Sequence, residues 1–167
     1  TYKECHFDFD RTLTKLGKNH KMIIPSKDLI KNEKDILGIK EAAKINTAVL
    51  DEVAKMIRAG ISTEEINTLV HNKTIEMGGI PAPLNYNGYP KSVCTSINDV
   101  VCHGIPSEKQ ILKNGDIINV DCTTILNGYY ADASRMFIIG DVSDEIKNLV
   151  NVTKEAMDIV VKNLKPF

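Results

Sequence analysis

No tryptophan occurs in the 167 residues, and cysteine appears only four times. The first absence excludes nothing about function. The second excludes a disulfide-stapled scaffold. Cys5, Cys94, Cys102 and Cys122 are scattered, three of them inside strand-like segments, a usage that fits reduced thiols in a cytoplasm. An excess of charge of either sign is also missing. With a net charge of −1 the chain has no bulk electrostatic signature for a polyanion, and no specific DNA partner is expected. No apolar run approaches the ~20 residues needed to span a bilayer, and the first residues lack the apolar core of a secretory leader. The chain therefore reads as soluble and without a membrane partner. What it does have is apolar bulk: 43% hydrophobic residues over 167 positions can bury a real core, and this length suits one domain with a short appendage. The chain begins at Thr1 rather than Met and stops just after a helical pattern, so both ends read as cuts.

Residues 1–31 have little apolar periodicity and many cations, and read as an N-terminal extension; residues 32–167 read as the main domain. The one chemical feature of the extension is the adjacent pair Cys5 and His6. Two such ligands suit zinc only if a second pair is supplied, and none lies nearby. From Asn32 the spacing of Ile36, Ile39, Ala43, Leu50, Val53 and Ile57 predicts a helix up to Gly60. Ser62 with Glu65 makes a capping box for a second helix, whose stripe Ile66, Leu69, Val70 and Met77 runs to Gly78-Gly79. His71 on this helix reads as a surface residue. A third helix opens at Ser143 and keeps the stripe Ile146, Val150, Thr153, Met157, Val160 and Leu164 until Pro166. Its last turns echo Leu50–Arg58, which suggests an internal repeat.

Between the helices lies extended chain. Pro81 to Pro90 is a loop by its Pro and Gly content, yet it holds Tyr86 and Tyr89. Ser92–Ile97 and Val100–His103 around Asn98-Asp99 read as a hairpin that sets Cys94 opposite His103. Lys113-Asn114-Gly115-Asp116 is a turn into a second, stronger hairpin. Its arms, Ile117–Thr124 and Tyr129–Ile139, are rich in β-branched and aromatic residues, and Asn127-Gly128 between them is the best short hairpin signal. With those two residues as the loop, Asp121 faces Ser134 and Asp132 faces Thr123. Side chains alternate with a period of two, so both aspartates share one face as diagonal neighbours. Two like charges on one sheet face call for a divalent cation, an Arg or Lys, or water.

The segments Tyr86–Asn98, Val101–Pro106, Gly115–Asp121 and Ala131–Phe137, standing in this order with short spacers, resemble the type I methionine aminopeptidases. The likeness covers roughly residues 32–167. It implies an α+β fold of the pita-bread (creatinase/aminopeptidase-like) kind, of which this chain would be the first pseudo-symmetric half, with antiparallel hairpins flanked by helices. It further implies a dinuclear centre in which Asp121 chelates one metal ion and Asp132 bridges both. His103 would contact the scissile amide of the substrate as the catalytic histidine, and Tyr86, Tyr89 and Cys94 would build the pocket for the methionine side chain. The family also uses a His and two Glu ligands from its second half. No position of this chain matches them, so they are expected beyond Phe167.

The implied function is metal-dependent hydrolysis of the peptide bond after the N-terminal methionine of peptides and nascent chains, in the cytoplasm. Two divalent ions, Mn, Fe, Co or Zn, would activate water and polarise the carbonyl. The Cys-His pair of the extension resembles the end of a SEC-C zinc motif, which implies a structural zinc in a longer chain, and the basic extension suggests docking to the ribosome. The contrasting reading is a non-catalytic pita-bread relative that binds protein or RNA. Such a relative is expected to lose metal ligands, and Asp121, Asp132 and His103 count against it. The 167 residues alone are expected to be inactive.

Overall fold

A computed structural model of the chain describes residues 30–165, and those from Glu33 onward belong to one compact unit. Cys5, His6 and most of the expected extension lie outside the described residues. Helix α1 (Glu33–Met56) starts with Glu33 and Asp35 and ends near Lys55, charges that suit its dipole. Its buried stripe is Ala42, Ile45, Asn46, Val49, Leu50 and Val53, while Ile36, expected to be buried, is exposed. The core therefore admits a polar residue. Asn46 belongs there because its amide donates to the Cys122 carbonyl at 3.0 Å and accepts from the Thr124 hydroxyl at 2.8 Å. Gly38 also has a reason. A Cβ at that position would run into the Tyr129 ring, which packs on the helix while its hydroxyl reaches Asp35 at 3.2 Å.

Helix α2 (Thr63–Glu76) has the expected capping box in full, Ser62 and Glu65 each satisfying the other's backbone amide. Ile66 and Val70 are buried, and Gly78 beyond the helix end takes the left-handed conformation (φ +83°) that closes such ends. Strands β1 (Ile80–Pro81), β2 (Cys94–Ile97), β3 (Ile117–Leu126) and β4 (Tyr129–Ile138) form one antiparallel sheet. β3 is its centre. β4 lies along one edge, and β1 and β2 share the other, β1 at Thr124-Ile125 and β2 at Ile118–Asp121. Burial along β3 alternates strictly from Ile118 to Thr124, with Ile118, Val120, Cys122 and Thr124 inward, toward α1 and α2.

The β3–β4 hairpin has the register read from its turn. Asn127 and Gly128 both take positive φ (+51° and +82°), Asp121 pairs with Ser134, and Thr123 pairs with Asp132. The other expected hairpin does not form. Residues 100–103 are not a strand, and β2 pairs with β3, so Cys94 stands opposite Asp121 and not His103. Asn98 explains the difference. In a left-handed conformation (φ +51°) it turns its backbone and side chain to the start of β3, exchanging hydrogen bonds with Ile117 at 3.0 Å and donating to Asp116 at 2.9 Å. Cys102 consequently sits exposed in a loop, so only Cys94 and Cys122 of the described cysteines lie in strands. Helix α3 (Asp144–Asn163) is capped by Ser143 as expected, but none of its residues is buried, and Met157, Val160 and Leu164 of its stripe are open to solvent.

Candidate metal and peptide site

One face of the β3–β4 hairpin packs on the helices; the other carries Asn119, Asp121 and Thr123 beside Asp132 and Ser134. The period of two that buries Val120 and Cys122 is what turns Asp121 the other way. Asp121 is half-buried and Asp132 exposed. Burial pushes the Asp121 carboxyl above its ordinary range, the negative charge of Asp132 pushes it further, and His103 pulls it back. All three sequence-predicted groups are thus electrostatic neighbours. The Thr123 hydroxyl donates to Asp132 Oδ1 at 2.9 Å, which orients that carboxylate. On the far side of β3, Arg135 of β4 reaches α1, donating to Asp51 at 2.9 Å and to the Leu50 carbonyl at 3.3 Å. The cation closest in sequence to Asp132 is therefore engaged elsewhere, and the pair keeps its mutual repulsion.

β2 brings Cys94 alongside. It is nearly buried, lies opposite Asp121 across the ladder, and has its thiol pushed up by burial first and by Asp121 among the nearby charges. His103 follows in the loop after β2, with φ +57° in a region that non-glycine residues adopt at a cost. Its neighbour Gly104 lies against β2: a Cβ there would meet the Thr95 carbonyl, and its own carbonyl accepts from the Thr95 amide at 2.9 Å. Tyr89 is buried, its hydroxyl directed at the Gly104 and Val93 carbonyls at 2.9 and 3.1 Å. Tyr86 is treated differently. It sits in a short 3₁₀ turn, Tyr86–Gly88, flanked by Asn85 and interrupted by Asn87, both left-handed, and is 70% exposed.

Sequence reasoning passed over two features. Thr123 was legible as the partner of Asp132, but its donor role needed the rotamer. His71 is not a plain surface residue: it is half-buried, with Nδ1 2.8 Å from the Ser92 hydroxyl, and Asn67 one turn earlier accepts from the Ser92 amide at 2.9 Å. Together with the Lys91–Glu64 ion pair at 2.7 Å these bonds fasten the segment before β2 to helix α2. The only local signal was the i, i+4 spacing of Asn67 and His71.

Among the described residues no three His, Cys, Asp or Glu side chains converge as metal ligands. The two aspartates nonetheless fit a divalent ion as part of a ligand set, because adjacent carboxylates with no Lys or Arg acting on them among the described residues are the hard, anionic donors such ions take.

The sequence pattern of metallopeptidase family M24 matches residues 38–166. A methionine aminopeptidase of Rickettsia prowazekii is 47% identical over 137 residues, covering 82% of this chain and 52% of that protein. Methionine aminopeptidase A of Synechocystis is 45% identical, covering 81% of this chain and 53% of its own length. The chain thus spans about half the length of the curated relatives it matches. Among solved structures, the methionine aminopeptidase of Thermotoga maritima superposes with a TM-score of 0.80 at 35% identity, over 82% of this chain and 55% of that one. An X-Pro aminopeptidase from the same organism gives 0.68 at 28% identity, over 81% and 37%. The fold is accordingly the α+β pita-bread fold, and the non-catalytic alternative finds no support among these relatives.

Proposed function

This chain belongs to metallopeptidase family M24, and from that premise we propose that it serves the metal-dependent removal of N-terminal methionine from peptides and nascent chains. The observation that carries the reading is the shared face of Asp121 and Asp132, with Cys94 opposite Asp121 and His103 close enough to act on its carboxyl. Asp121 and Asp132 would hold the metal ions, which when bound supply Lewis-acid activation of water and of the scissile carbonyl. The rest is done by the chain's own groups. Thr123 keeps Asp132 turned to the site. Cys94, with its thiol protonated, and the Tyr89 ring give a dry, polarisable wall suited to a thioether, with Tyr86 at its exposed rim. His103, exposed in its loop, would hydrogen-bond the amide whose bond is broken, a contribution typically worth about 10²–10⁴-fold in rate.

The finer assignments belong to the same proposal: Mn, Fe, Co or Zn as the ion, a cytoplasmic site of action, residues 1–31 as an extension that docks to the ribosome, and a structural zinc at Cys5 and His6 in a longer chain. Two aspartates are too few ligands for a pair of ions, so the experiment uses the full-length protein that contains this sequence. With Mn or Co added it should release methionine from a Met-Gly-Met peptide and lose most of that activity on Asp132→Asn. Residues 1–167 alone should release none. Turnover by the 167-residue chain well above a His103→Ala/Asp132→Asn control, or no release by the full-length protein, would overturn the assignment.

A further inference from the structure

We infer that the Tyr89 hydroxyl is a positioning group for His103, hanging the His103-Gly104 turn from the segment that carries Cys94, and that it acts on turnover and not on methionine binding. The inference rests on the role proposed for His103 above. A histidine at φ +57° holds that conformation only where its surroundings impose it. Three hydrogen bonds do so here, all to Gly104. Its carbonyl accepts from the Thr95 amide at 2.9 Å and from the Tyr89 hydroxyl at 2.9 Å, and its amide donates to the Ser96 hydroxyl at 3.2 Å.

The phenol is the one strut that joins three segments. Tyr89 leaves the 3₁₀ turn, its proton is shared between the Gly104 and Val93 carbonyls, and its hydroxyl acts on the Cys94 thiol, opposing the rise that burial causes there. These contacts engage the hydroxyl inside the wall: Tyr89 is 8% exposed, whereas His103 is open to solvent. A substrate can meet the ring but finds the phenolic proton already used. Phenylalanine at 89 therefore keeps the wall and removes the strut.

The test is a double-mutant cycle in the full-length protein with a Met-Gly-Met peptide. Tyr89→Phe should lower kcat by about 3- to 10-fold, the kinetic equivalent of one lost neutral hydrogen bond, with KM held within about twofold. In a His103→Ala background the same substitution should cost nothing further, because the group it positions is gone. A rise in KM at unchanged kcat, or equal losses in both backgrounds, would overturn the inference. A readout without turnover separates this from the functional reading: Tyr89→Phe should shift the His103 and Gly104 NMR resonances and speed hydrogen exchange at the Thr95 amide. If the wild-type protein releases no methionine the functional reading fails, and unchanged resonances would still sink the strut on their own. Should Tyr89→Phe fold poorly, Ser96→Ala removes the second strut and should move the same resonances less, in the same direction.

Discussion

Cys94 lies directly across the β2–β3 ladder from Asp121, so a thiol and a carboxylate share the open face of the sheet. Burial and that neighbouring negative charge both disfavour the thiolate, which holds the Cys94 thiol above its ordinary value. Cys122, on the opposite face of β3 and packed in the core, is pushed up to about 12. Cys102 is exposed in its loop. Alkylation by iodoacetamide near neutral pH should therefore mark Cys102 first among these three, Cys94 at least about tenfold more slowly, and Cys122 only on unfolding. Peptide mapping by mass spectrometry over time would show the order, and fast labelling of Cys94 would contradict the packing described around it.

Asn46 offers a test of what joins α1 to the sheet. It is 1% exposed and both ends of its amide are used, one by the Cys122 carbonyl and one by the Thr124 hydroxyl. Truncation to alanine removes two bonds, strands a buried hydroxyl and opens a small cavity. Asn46→Ala should destabilise the chain by about 2 to 4 kcal/mol. Asn46→Ala combined with Thr124→Val should lose less than the sum of the two, because the stranded hydroxyl is then gone. Urea unfolding of the four proteins measures both.

Comparison of the two expected hairpins shows where sequence stops being enough. The β3–β4 register was legible because a two-residue Asn-Gly turn leaves no freedom: once Asn127 and Gly128 take positive φ, every opposed pair follows, including Asp121 with Ser134. Asn98-Asp99 looked similar and was not, since Asn98 spends its amide on Ile117 and Asp116, nineteen and eighteen residues on, and no local rule encodes that partner. The same limit hid Asn46, a polar residue admitted to a core stripe only because of acceptor and donor groups 76 and 78 residues away. It also hid the bond between His71 and Ser92. Helix starts fared better, because the cap at Ser62 lies within three residues of its partner Glu65 and the cap at Ser143 within three of Ile146.

The raised Asp121 carboxyl makes a prediction about pH whose sign is fixed. A group whose folded pKa lies above its ordinary value of 3.8 binds its proton more tightly in the folded chain. Its contribution to stability is thus fully present below that ordinary value and is lost as pH rises through the folded one, so near neutral pH the Asp121 carboxylate works against folding in chelator. Asp121→Asn, neutral at every pH, should then melt higher than wild type at neutral pH, and the gap should close in acid where both side chains are uncharged. Asp132→Asn should lower the Asp121 pKa, since it removes the repelling charge. Millimolar Mn²⁺ should raise the melting temperature of the wild-type chain and leave Asp121→Asn unmoved, with the gain reversed by chelator. Thermal melts across this pH range, with carboxyl ¹³C titration of Asp121, read all of these. A lower melting temperature for Asp121→Asn than for wild type in chelator at neutral pH would mean that attraction from the protein's own groups outweighs the repulsion between the two aspartates, and the case for a cation between them would fall.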